Sequence, residues 1–232
     1  MPTQQVYNVG QSQSSKPVKG RRGGLSRERI LAAALQLVDA DGLDALTMRR
    51  LADQLKVDPM SLYNYVDSKD ALLDGLAEAL WGEVQLPDHT KGWKTILRAF
   101  ASSLRALADV HPLAYGLLLG RGILPGPGLE AIDHALTALE GAGLKRPKAA
   151  EMIRTLTAYA AGYAMLELSC APAVGATQLE QIVNLTRALP KDAPTYLVEV
   201  AQLMADCDMD YQFKLGLDLI LAGLEARLAK TI

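Results

Sequence analysis

The stretch Thr47–Lys69, TMRRLADQLKVDPMSLYNYVDSK, decides the fold of the N-terminal part of this 232-residue chain. Thr47 predicts a helix N-cap, because its hydroxyl can accept a hydrogen bond from an unpaired amide of the first turn. Asp58 predicts a second N-cap, and Pro59 stands at the first helical position, where no N–H is needed. The sequence therefore predicts two short helices joined by a turn of about three or four residues.

Each of these helices is predicted to bury one face and to expose the other. Apolar residues at helical spacing mark the buried faces: Leu51, Ala52, Leu55, Leu62 and Val66. The outward positions of the second helix are Met60, Ser61, Tyr63, Asn64 and Tyr65. One interpretation is a surface helix pair within a bundle; the other is a helix-turn-helix whose second helix enters the DNA major groove. The outward hydroxyl, amide and phenol groups favour DNA, because such groups bind base edges and phosphates.

The run from Leu25 to Leu76 resembles the DNA-binding domain of TetR-family transcriptional repressors. The similar segments are ILAAALQLV, DGLDALTMRRLADQL and SLYNYVDSKDALL. The remainder resembles the C-terminal domain of the tetracycline-repressor branch, most clearly in LGLDLILAGLEARL. The resemblance implies an all-α protein with an N-terminal three-helix helix-turn-helix domain at residues 25–70. A C-terminal helical bundle for ligand binding and dimerisation is expected at residues 71–232.

The resemblance also implies eight DNA-contacting residues and a palindromic operator. Thr47 and Arg49 are expected near a phosphate and an edge base, and Tyr63 and Lys69 are expected to hold phosphates. The residues expected to face bases are Met60, Ser61, Asn64 and Tyr65. A transcriptional regulator of this kind, most simply a repressor, would act as a homodimer on double-stranded DNA.

Charge is distributed unevenly along the chain, although the net charge is only −2. Residues 1–70 contain 10 Lys/Arg and 8 Asp/Glu, whereas residues 71–232 contain 14 and 18. Residues 1–24 lack apolar periodicity and are predicted to be a disordered basic arm. The arm is either a solubilising tail or a segment that lays Lys16, Lys19, Arg21 and Arg22 along DNA phosphates.

Helical patterns account for the rest of the sequence. Ser26 is predicted to cap a first helix that reaches about Ala40 and ends at Gly42 in a left-handed cap. A helix from Asp67 or Ser68 to about Gln85 is expected to link the two domains. Further helices are predicted at 91–109, 112–119, 128–141, 147–169, 178–188, 194–206 and 209–229, separated by breaks at 120–128, 143–147, 170–176 and 189–194. No strand pattern or internal repeat is evident, so a helical bundle is expected.

The last helix has apolar residues around nearly its full circumference, and helix 147–169 carries small residues that permit close helix approach. These small residues are Ala150, Ala158, Ala161, Gly162 and Ala164. Both helices could lie in the middle of one domain. Alternatively, each subunit could contribute the pair to a four-helix dimer interface, as the resemblance implies.

The resemblance further implies an effector cavity among the central helices. The candidate residues by position are Phe100, Leu104, Leu118, Met152, Thr155, Tyr159, Tyr163 and Glu167; ordinary core packing is the alternative for each. The chain departs from the tetracycline repressor at Leu118 and Arg121, where that protein has the histidine and threonine that help to hold a magnesium-bound drug. Neither magnesium nor tetracycline is therefore expected. Because few charges line the region, the expected effector is small and mostly apolar, with a few hydrogen-bonding groups.

Other function classes find little support in the sequence. Cys170 and Cys207 are too isolated for a disulfide framework, and the three histidines show no metal-binding spacing. No cofactor is expected, and no nucleophile elbow, phosphate loop or paired-carboxylate motif indicates an enzyme. A scaffolding protein that keeps the helix-turn-helix only as a packing unit is the main alternative. The sequence has no membrane span or export signal, so a cytoplasmic protein is expected.

Overall fold

A computed structural model describes residues 24–121, 126–170, 190, 194–205 and 208–229. Regular structure in these ranges is entirely helical, which confirms the all-α class. The α-helices are α1 (Arg27–Asp41), α2 (Met48–Leu55), α3 (Pro59–Leu62), α4 (Lys69–Gly82), α5 (Trp93–Val110), α6 (Gly116–Gly120), α7 (Pro127–Gly141), α8 (Arg146–Cys170), α9 (Thr195–Ala205) and α10 (Met209–Leu228). The predicted arm up to residue 23, the predicted helix 178–188 and Cys207 lie outside the described residues.

The predicted N-caps are present at the starts of the N-terminal helices. The Ser26 hydroxyl accepts a hydrogen bond from the Arg29 amide at 3.2 Å, and the Ser68 hydroxyl accepts one from the Ala71 amide at 3.0 Å. The cap at Ser68 places the start of α4 one residue after it rather than after Asp67. Gly42 ends α1 with φ +83° and ψ 170°, so its φ is positive as predicted but its conformation lies outside the left-handed helical region.

Several helix ends differ from the predicted ones. Helix α4 ends at Gly82 instead of near Gln85, and α6 begins at Gly116 instead of residue 112. Helix α7 begins at Pro127, inside the predicted break, because proline suits the first helical turn. Helix α8 begins at Arg146, also inside a predicted break, since Pro147 in its first turn needs no amide donor.

A continuous apolar core joins the two ends of the molecule. Helices α1–α3 form an N-terminal head, in which Ile30, Leu51 and Leu62 are fully buried. Helix α4 packs against α1 of the head and against α6 and α7 of the body, which comprises α5–α10. Within the body, α5 packs on α7 and α8, and α10 packs on α5 and α8. Helix α4 is therefore the element shared by head and body.

The apolar circumference of α10 is divided into two faces. The face packed into the body comprises Phe213, Leu217, Leu221, Leu224 and Leu228. On the opposite face, Leu215 and Leu219 are 45% and 67% exposed in the single chain. The small residues of α8 are divided as well, since Ala161 and Ala164 are buried within the chain whereas Ala158 and Gly162 are exposed. Neither helix is therefore covered on all sides by the described part of its own chain.

Candidate nucleic-acid interface and ligand pocket

The turn between α2 and α3 is set by local hydrogen bonds. The Thr47 hydroxyl accepts the Arg50 amide at 3.1 Å and begins α2 as predicted. Lys56 ends α2 in the left-handed conformation at φ 57° and ψ 47°, and the Val57 amide donates back to the Ala52 carbonyl at 3.0 Å. The Asp58 carboxylate then accepts the Met60 amide at 2.8 Å. These bonds hold the two helices at a defined angle across a three-residue turn.

Helix α3 is shorter than predicted. The regular helix ends at Leu62, whereas the apolar spacing predicted that it would include Val66. The chain continues in a tighter turn, because the Tyr65 and Val66 amides both donate to the Leu62 carbonyl, at 2.9 and 3.1 Å. Leu62 and Val66 are nevertheless both buried as predicted. The turn therefore keeps the inward face of the segment and redirects only its C-terminal residues.

The predicted DNA-contacting residues lie at exposed or half-buried positions from the start of α2 to the start of α4. Met60 is 71% exposed, and Tyr63 and Tyr65 are each 42% exposed. The other exposed members are Thr47, Arg49, Asn64 and Lys69, and Ser61 is half-buried. Seven of the eight are thus exposed and one is half-buried, whereas Leu51 and Leu62 between them are buried in the head core.

The cationic side chains near α3 differ in whether they form ion pairs. Arg50 pairs with Asp41 at 2.5 Å, so its guanidinium is already bound to a carboxylate. In contrast, Arg49, Lys56 and Lys69 form no ion pair with the residues that the structure describes. Lys56 was not among the predicted residues; its position in the turn between two capped helices is the sequence signal that could have identified it. These three cations are available to phosphates.

The predicted effector residues do not form a single cluster. Phe100, Leu104 and Leu118 are buried in the body core, and Met152 is half-buried against it. Thr155 is exposed, and its hydroxyl donates to the Glu151 carbonyl at 3.0 Å. The remaining three, Tyr159, Tyr163 and Glu167, lie along α8 where it meets α5 and α10. The eight residues chosen by sequence position are therefore a mixture of core residues, one surface residue and members of a polar cluster.

The polar cluster is centred on Arg105 of α5. Its guanidinium binds both oxygens of Glu167, with distances of 2.8 Å from Nε and 2.5 Å from Nη2, and contacts Asp210 at 2.9 Å. It also lies 4.7 Å from the centre of the Phe213 ring. The hydrogen bonds that Arg105 donates to Glu167 raise the pKa of Arg105 further above its ordinary value. The Glu167 carboxylate of α8 thus already forms an ion pair with α5.

The hydroxyl groups of both tyrosines in this cluster also contact other groups of the chain. The Tyr159 hydroxyl donates to the Phe213 carbonyl at 2.7 Å, and the Tyr163 hydroxyl lies 3.9 Å from the Met209 sulfur. Gly216 permits the close approach of α10, because a Cβ at this position would clash with the Tyr159 hydroxyl. The cluster in this arrangement attaches α10 to the body rather than presenting open hydrogen-bonding groups.

A separate pocket of about 520 Å³ lies between α6, α7 and α8. Its lining residues are Leu119, Ile132, Ala150, Ile153, Arg154, Thr157, Ala158 and Ala161. None of the eight predicted effector residues is among them. The small side chains of α8, which the sequence suggested for close helix approach, here leave space beside α7. Arg154 forms no ion pair within the described residues, so its guanidinium is the free polar group of a mostly apolar site.

Comparison with known proteins decides the family. Residues 30–76 match the model of bacterial regulatory proteins of the tetR family, and residues 86–228 match that of the tetracyclin repressor-like C-terminal domain. The chain belongs to the TetR family. It is therefore a transcriptional regulator that binds DNA and a ligand.

Relatives of this TetR-family chain cover nearly its full length. The HTH-type transcriptional repressor DrrR1 of Streptomyces coeruleorubidus is 31% identical, over 93% of this chain and 83% of its own. Apo ActR from Streptomyces coelicolor has a TM-score of 0.75 and 32% identity, with 90% of this chain and 98% of that chain covered. ActR in complex with actinorhodin has a TM-score of 0.74 and 32% identity, with 88% and 99% covered.

Arg121 gives this TetR-family chain a direct link between α6 and α4. It follows α6 and contacts the side chains of Asp70 and Asp74, and its guanidinium donates to the Asp70 carbonyl at 3.3 Å. Hydrogen bonding from Arg121 lowers the pKa of the Asp70 carboxyl. Asp70 directly follows Lys69, so an α6 displacement would be transmitted to the segment that follows α3.

Two further properties of the described residues concern metals and membranes. No three side chains among His, Cys, Asp and Glu in these ranges are grouped closely enough to share a metal ion. In the same ranges, no helix combines the length and apolarity that a bilayer span requires.

Proposed function

We propose that this protein is a repressor that binds a palindromic operator as a homodimer and is released by a small, mostly apolar effector. The observation that carries the proposal is the exposed set of side chains around α3, in which hydrogen-bonding groups and three cations without ion pairs among the described residues surround a capped helix-turn-helix. A unit kept only for packing would not need that composition. The alternative function is scaffolding, and the DNA-binding experiments distinguish it from the proposed function.

The proposed DNA contacts divide into two kinds. Met60, Ser61, Asn64 and Tyr65 face base edges, where an amide can bind adenine and an apolar group can contact the thymine methyl. Tyr63 and Lys69 hold phosphates, and Thr47 and Arg49 lie near a phosphate and an edge base. Lys56, in the turn between α2 and α3, adds a further phosphate contact. Base contacts provide sequence preference, whereas phosphate contacts increase affinity for any sequence.

Substitutions of Asn64 and Lys69 should affect DNA binding in different ways. We expect Asn64→Ala to weaken binding to the cognate operator by about 1–3 kcal/mol and to leave binding to random DNA nearly unchanged. Lys69→Ala should weaken binding to all sequences alike. It should also reduce the slope of log affinity against log salt concentration by about one, because one fewer counterion is released from the DNA. The measurement is fluorescence anisotropy on the DNA flanking the gene and on a scrambled duplex, at several salt concentrations.

Asp53→Ala serves as the matched control for these variants, because Asp53 is exposed on α2 and its side chain forms no hydrogen bond or ion pair within the described residues. Binding of the control should equal or slightly exceed that of the wild type. Equal losses on cognate and random DNA for Asn64→Ala would remove Asn64 from base recognition. If the wild type binds no fragment of that DNA more tightly than the scrambled duplex, the scaffolding function is favoured.

The effector site in this proposal is the pocket between α6, α7 and α8. Its walls are largely aliphatic, which suits an apolar ligand, and Arg154 can bind an acidic or hydrogen-bond-accepting group. A volume of about 520 Å³ lies within the range of small-molecule sites. Support also comes from the structure of ActR in complex with actinorhodin. The Arg105 cluster is a structural element in this proposal.

Release of DNA would follow from a shift between two arrangements of the heads. An effector can change operator affinity only if it binds one arrangement better than the other. Leu119 of α6 lines the pocket, and Arg121, two residues further along, binds α4 beside Lys69. An effector that moves α6 would therefore move the start of α4 and change the separation of the two α3 segments in a dimer.

The pocket can be tested by filling it. We expect Ala150→Phe to occupy part of the cavity and to weaken effector binding by at least about tenfold, which corresponds to about 1.4 kcal/mol. Thr155→Phe places the same side chain on the exposed part of α8 outside the pocket and is the matched control. Binders come from a thermal-shift screen of apolar acids and neutral analogues, and calorimetry then gives their affinities with and without operator DNA.

The same calorimetry also tests whether the ligand controls DNA binding, because effector binding and operator binding are thermodynamically linked. Operator DNA must lower effector affinity by the factor by which the effector lowers operator affinity. Arg121→Gln should bind the effector but reduce this factor, because the contact between α6 and α4 is lost. If ligands bound in the pocket leave operator affinity unchanged, the pocket is not the inducer site. If Thr155→Phe impairs binding as much as Ala150→Phe, the ligand lies elsewhere on α8.

A further inference from the structure

His111 connects three segments of the molecule through both of its ring nitrogens. It follows the last residue of α5 in the body and is only 8% exposed. Its Nδ1 lies 2.8 Å from Asp39 Oδ2 on α1 of the head. Its Nε2 lies 3.0 Å from Glu83 Oε2, directly after α4. One imidazole therefore contacts the head, the end of the linking helix and the body.

This geometry determines the charge on the ring. A carboxylate can only accept hydrogen bonds, and a neutral imidazole has one N–H donor and one acceptor nitrogen. A neutral His111 would therefore direct one lone pair at a carboxylate oxygen. The imidazolium has two donors and satisfies both contacts. The extra proton resides on the ring because imidazole is ordinarily more basic than a carboxylate by more than about two pKa units.

Among the described helices packed against the ring, Asp39 of α1 and Glu83 at the end of α4 are the charged groups that face it. Asp109 precedes His111 by two residues on α5 and is exposed. Near α6, the Tyr115 amide donates to the His111 carbonyl at 2.8 Å, and the phenol of Tyr115 is buried, which raises its pKa. Asp39 Oδ1 is buried without a hydrogen-bond partner among the described residues, and Asp39 Oδ2 is paired with His111.

We propose that His111 is a proton-dependent strut that holds the DNA-binding head on the body as an imidazolium between Asp39 and Glu83. When the ring loses its proton, one of the two contacts becomes repulsive and the attachment of α1 weakens. The head is then less restricted relative to the body. If the protein binds its operator as proposed above, operator affinity should fall with the same midpoint, but the strut itself can be tested without DNA.

The direction of the pH effect follows from opposing contributions to the pKa. Burial lowers the pKa of His111, but hydrogen bonding of the ring to Asp39 and Glu83 and the negative charge of both carboxylates outweigh burial, so the pKa is raised above its ordinary value of 6.5. A raised folded-state pKa means that the contribution to stability is complete below the unfolded pKa and is lost as pH rises through the folded pKa. The strut therefore weakens in the interval that begins near pH 6.5 and ends above the raised value.

NMR titration of the histidine Cε1–H resonances tests the proposal on the full chain. The chain has three histidines, so His111→Gln assigns the signal. We expect the wild-type His111 midpoint to lie above 6.5 and to move down by about one pH unit in Asp39→Asn. In that variant the amide can donate to Nδ1 while Nε2–H donates to Glu83, so the neutral ring satisfies both neighbours. Asp41→Asn, on the same helix but paired with Arg50, should leave the midpoint unchanged.

Urea unfolding between pH 6 and 9 gives an independent measurement. The wild type should lose stability with rising pH through the His111 midpoint, whereas Asp39→Asn should lose much less over the same range. Glu83→Gln should behave like Asp39→Asn and replaces it if Asp39→Asn does not fold. A wild-type His111 midpoint at or below 6.5 would overturn the proposal. Identical titrations of Asp39→Asn and Asp41→Asn would overturn it as well.

Discussion

Leu219→Glu should separate the proposed homodimer into monomers and lower affinity for the proposed operator by about 10²- to 10⁴-fold. Leu219 is 67% exposed in the single chain, so a carboxylate there is tolerated by the isolated fold. In a dimer formed through α8 and α10, the same carboxylate would be buried against an apolar surface at a cost of several kcal/mol. A monomer presents only one α3 segment and loses the gain in affinity from binding two half-sites.

Sedimentation velocity and operator binding on the same preparation measure this effect. Leu113→Glu is the matched control, because Leu113 is also an exposed leucine, at 48%, but lies before α6 rather than on α10. It should remain dimeric with wild-type affinity. A Leu219→Glu protein that stays dimeric and binds normally would place the dimer interface elsewhere.

Ala161, one of the small residues that the sequence places in the possible interface, is not a suitable position for a second substitution. Ala161 is only 5% exposed within its own chain and lines the pocket, so an arginine there would disturb folding and ligand binding together. Leu166, which is 49% exposed on α8, is the better position. Leu166→Glu should give the same loss of dimer as Leu219→Glu if both helices contribute to the interface.

Arg105→Gln should lower the free energy of unfolding by about 3 kcal/mol. The side chains of Arg105 and Glu167 are only 17% and 19% exposed, so removing the guanidinium leaves a largely buried carboxylate without its partner. The substitution also removes the contact with Asp210 and the cation–π contact with Phe213. Urea unfolding at neutral pH measures the loss, and the attachment of α10 should weaken first.

Arg98→Gln is the matched control on the same helix. Arg98 pairs with Asp218 of α10, but their side chains are 46% and 54% exposed, and exposed ion pairs contribute little to stability. The double variant Arg105→Met/Glu167→Leu should recover most of the loss, because it removes the unpaired charge. If Arg105→Gln is no less stable than Arg98→Gln, the cluster is not structural. Tyr159, Tyr163 and Glu167 would then again be candidates for effector contacts.

The features that could be predicted from the sequence are those that local interactions determine. The N-caps at Ser26, Thr47, Asp58 and Ser68 are present, because a cap requires only a side-chain oxygen two or three residues before an unpaired amide. The buried faces of α2 and α3 follow equally from apolar spacing. The exposed positions around α3 then follow by exclusion, whereas the eight DNA-contacting residues could be named because the sequence resembles the TetR family.

The ligand region could not be predicted in the same way. Phe100, Leu104 and Leu118 were named by position, yet they are buried in the body core. Whether a residue on a central helix faces a core, a partner charge or a cavity depends on helices far away in the sequence. Glu167 illustrates this dependence, since its partner Arg105 is 62 residues away and occupies its carboxylate.

Local sequence alone determined the helical class, the capped helix-turn-helix and its exposed polar surface, because these depend on hydrogen bonds and apolar spacing within a few turns of chain. The tertiary structure decided the rest: the shortened α3, the division of α10 into a buried and an exposed apolar face, the pocket beside α8 and the His111 strut. His111 and Asp39 are 72 residues apart, and nothing in the neighbourhood of either residue specifies the other. Such contacts arise only when the packing of whole helices brings distant side chains together, because their energies depend on burial and distance rather than on sequence spacing.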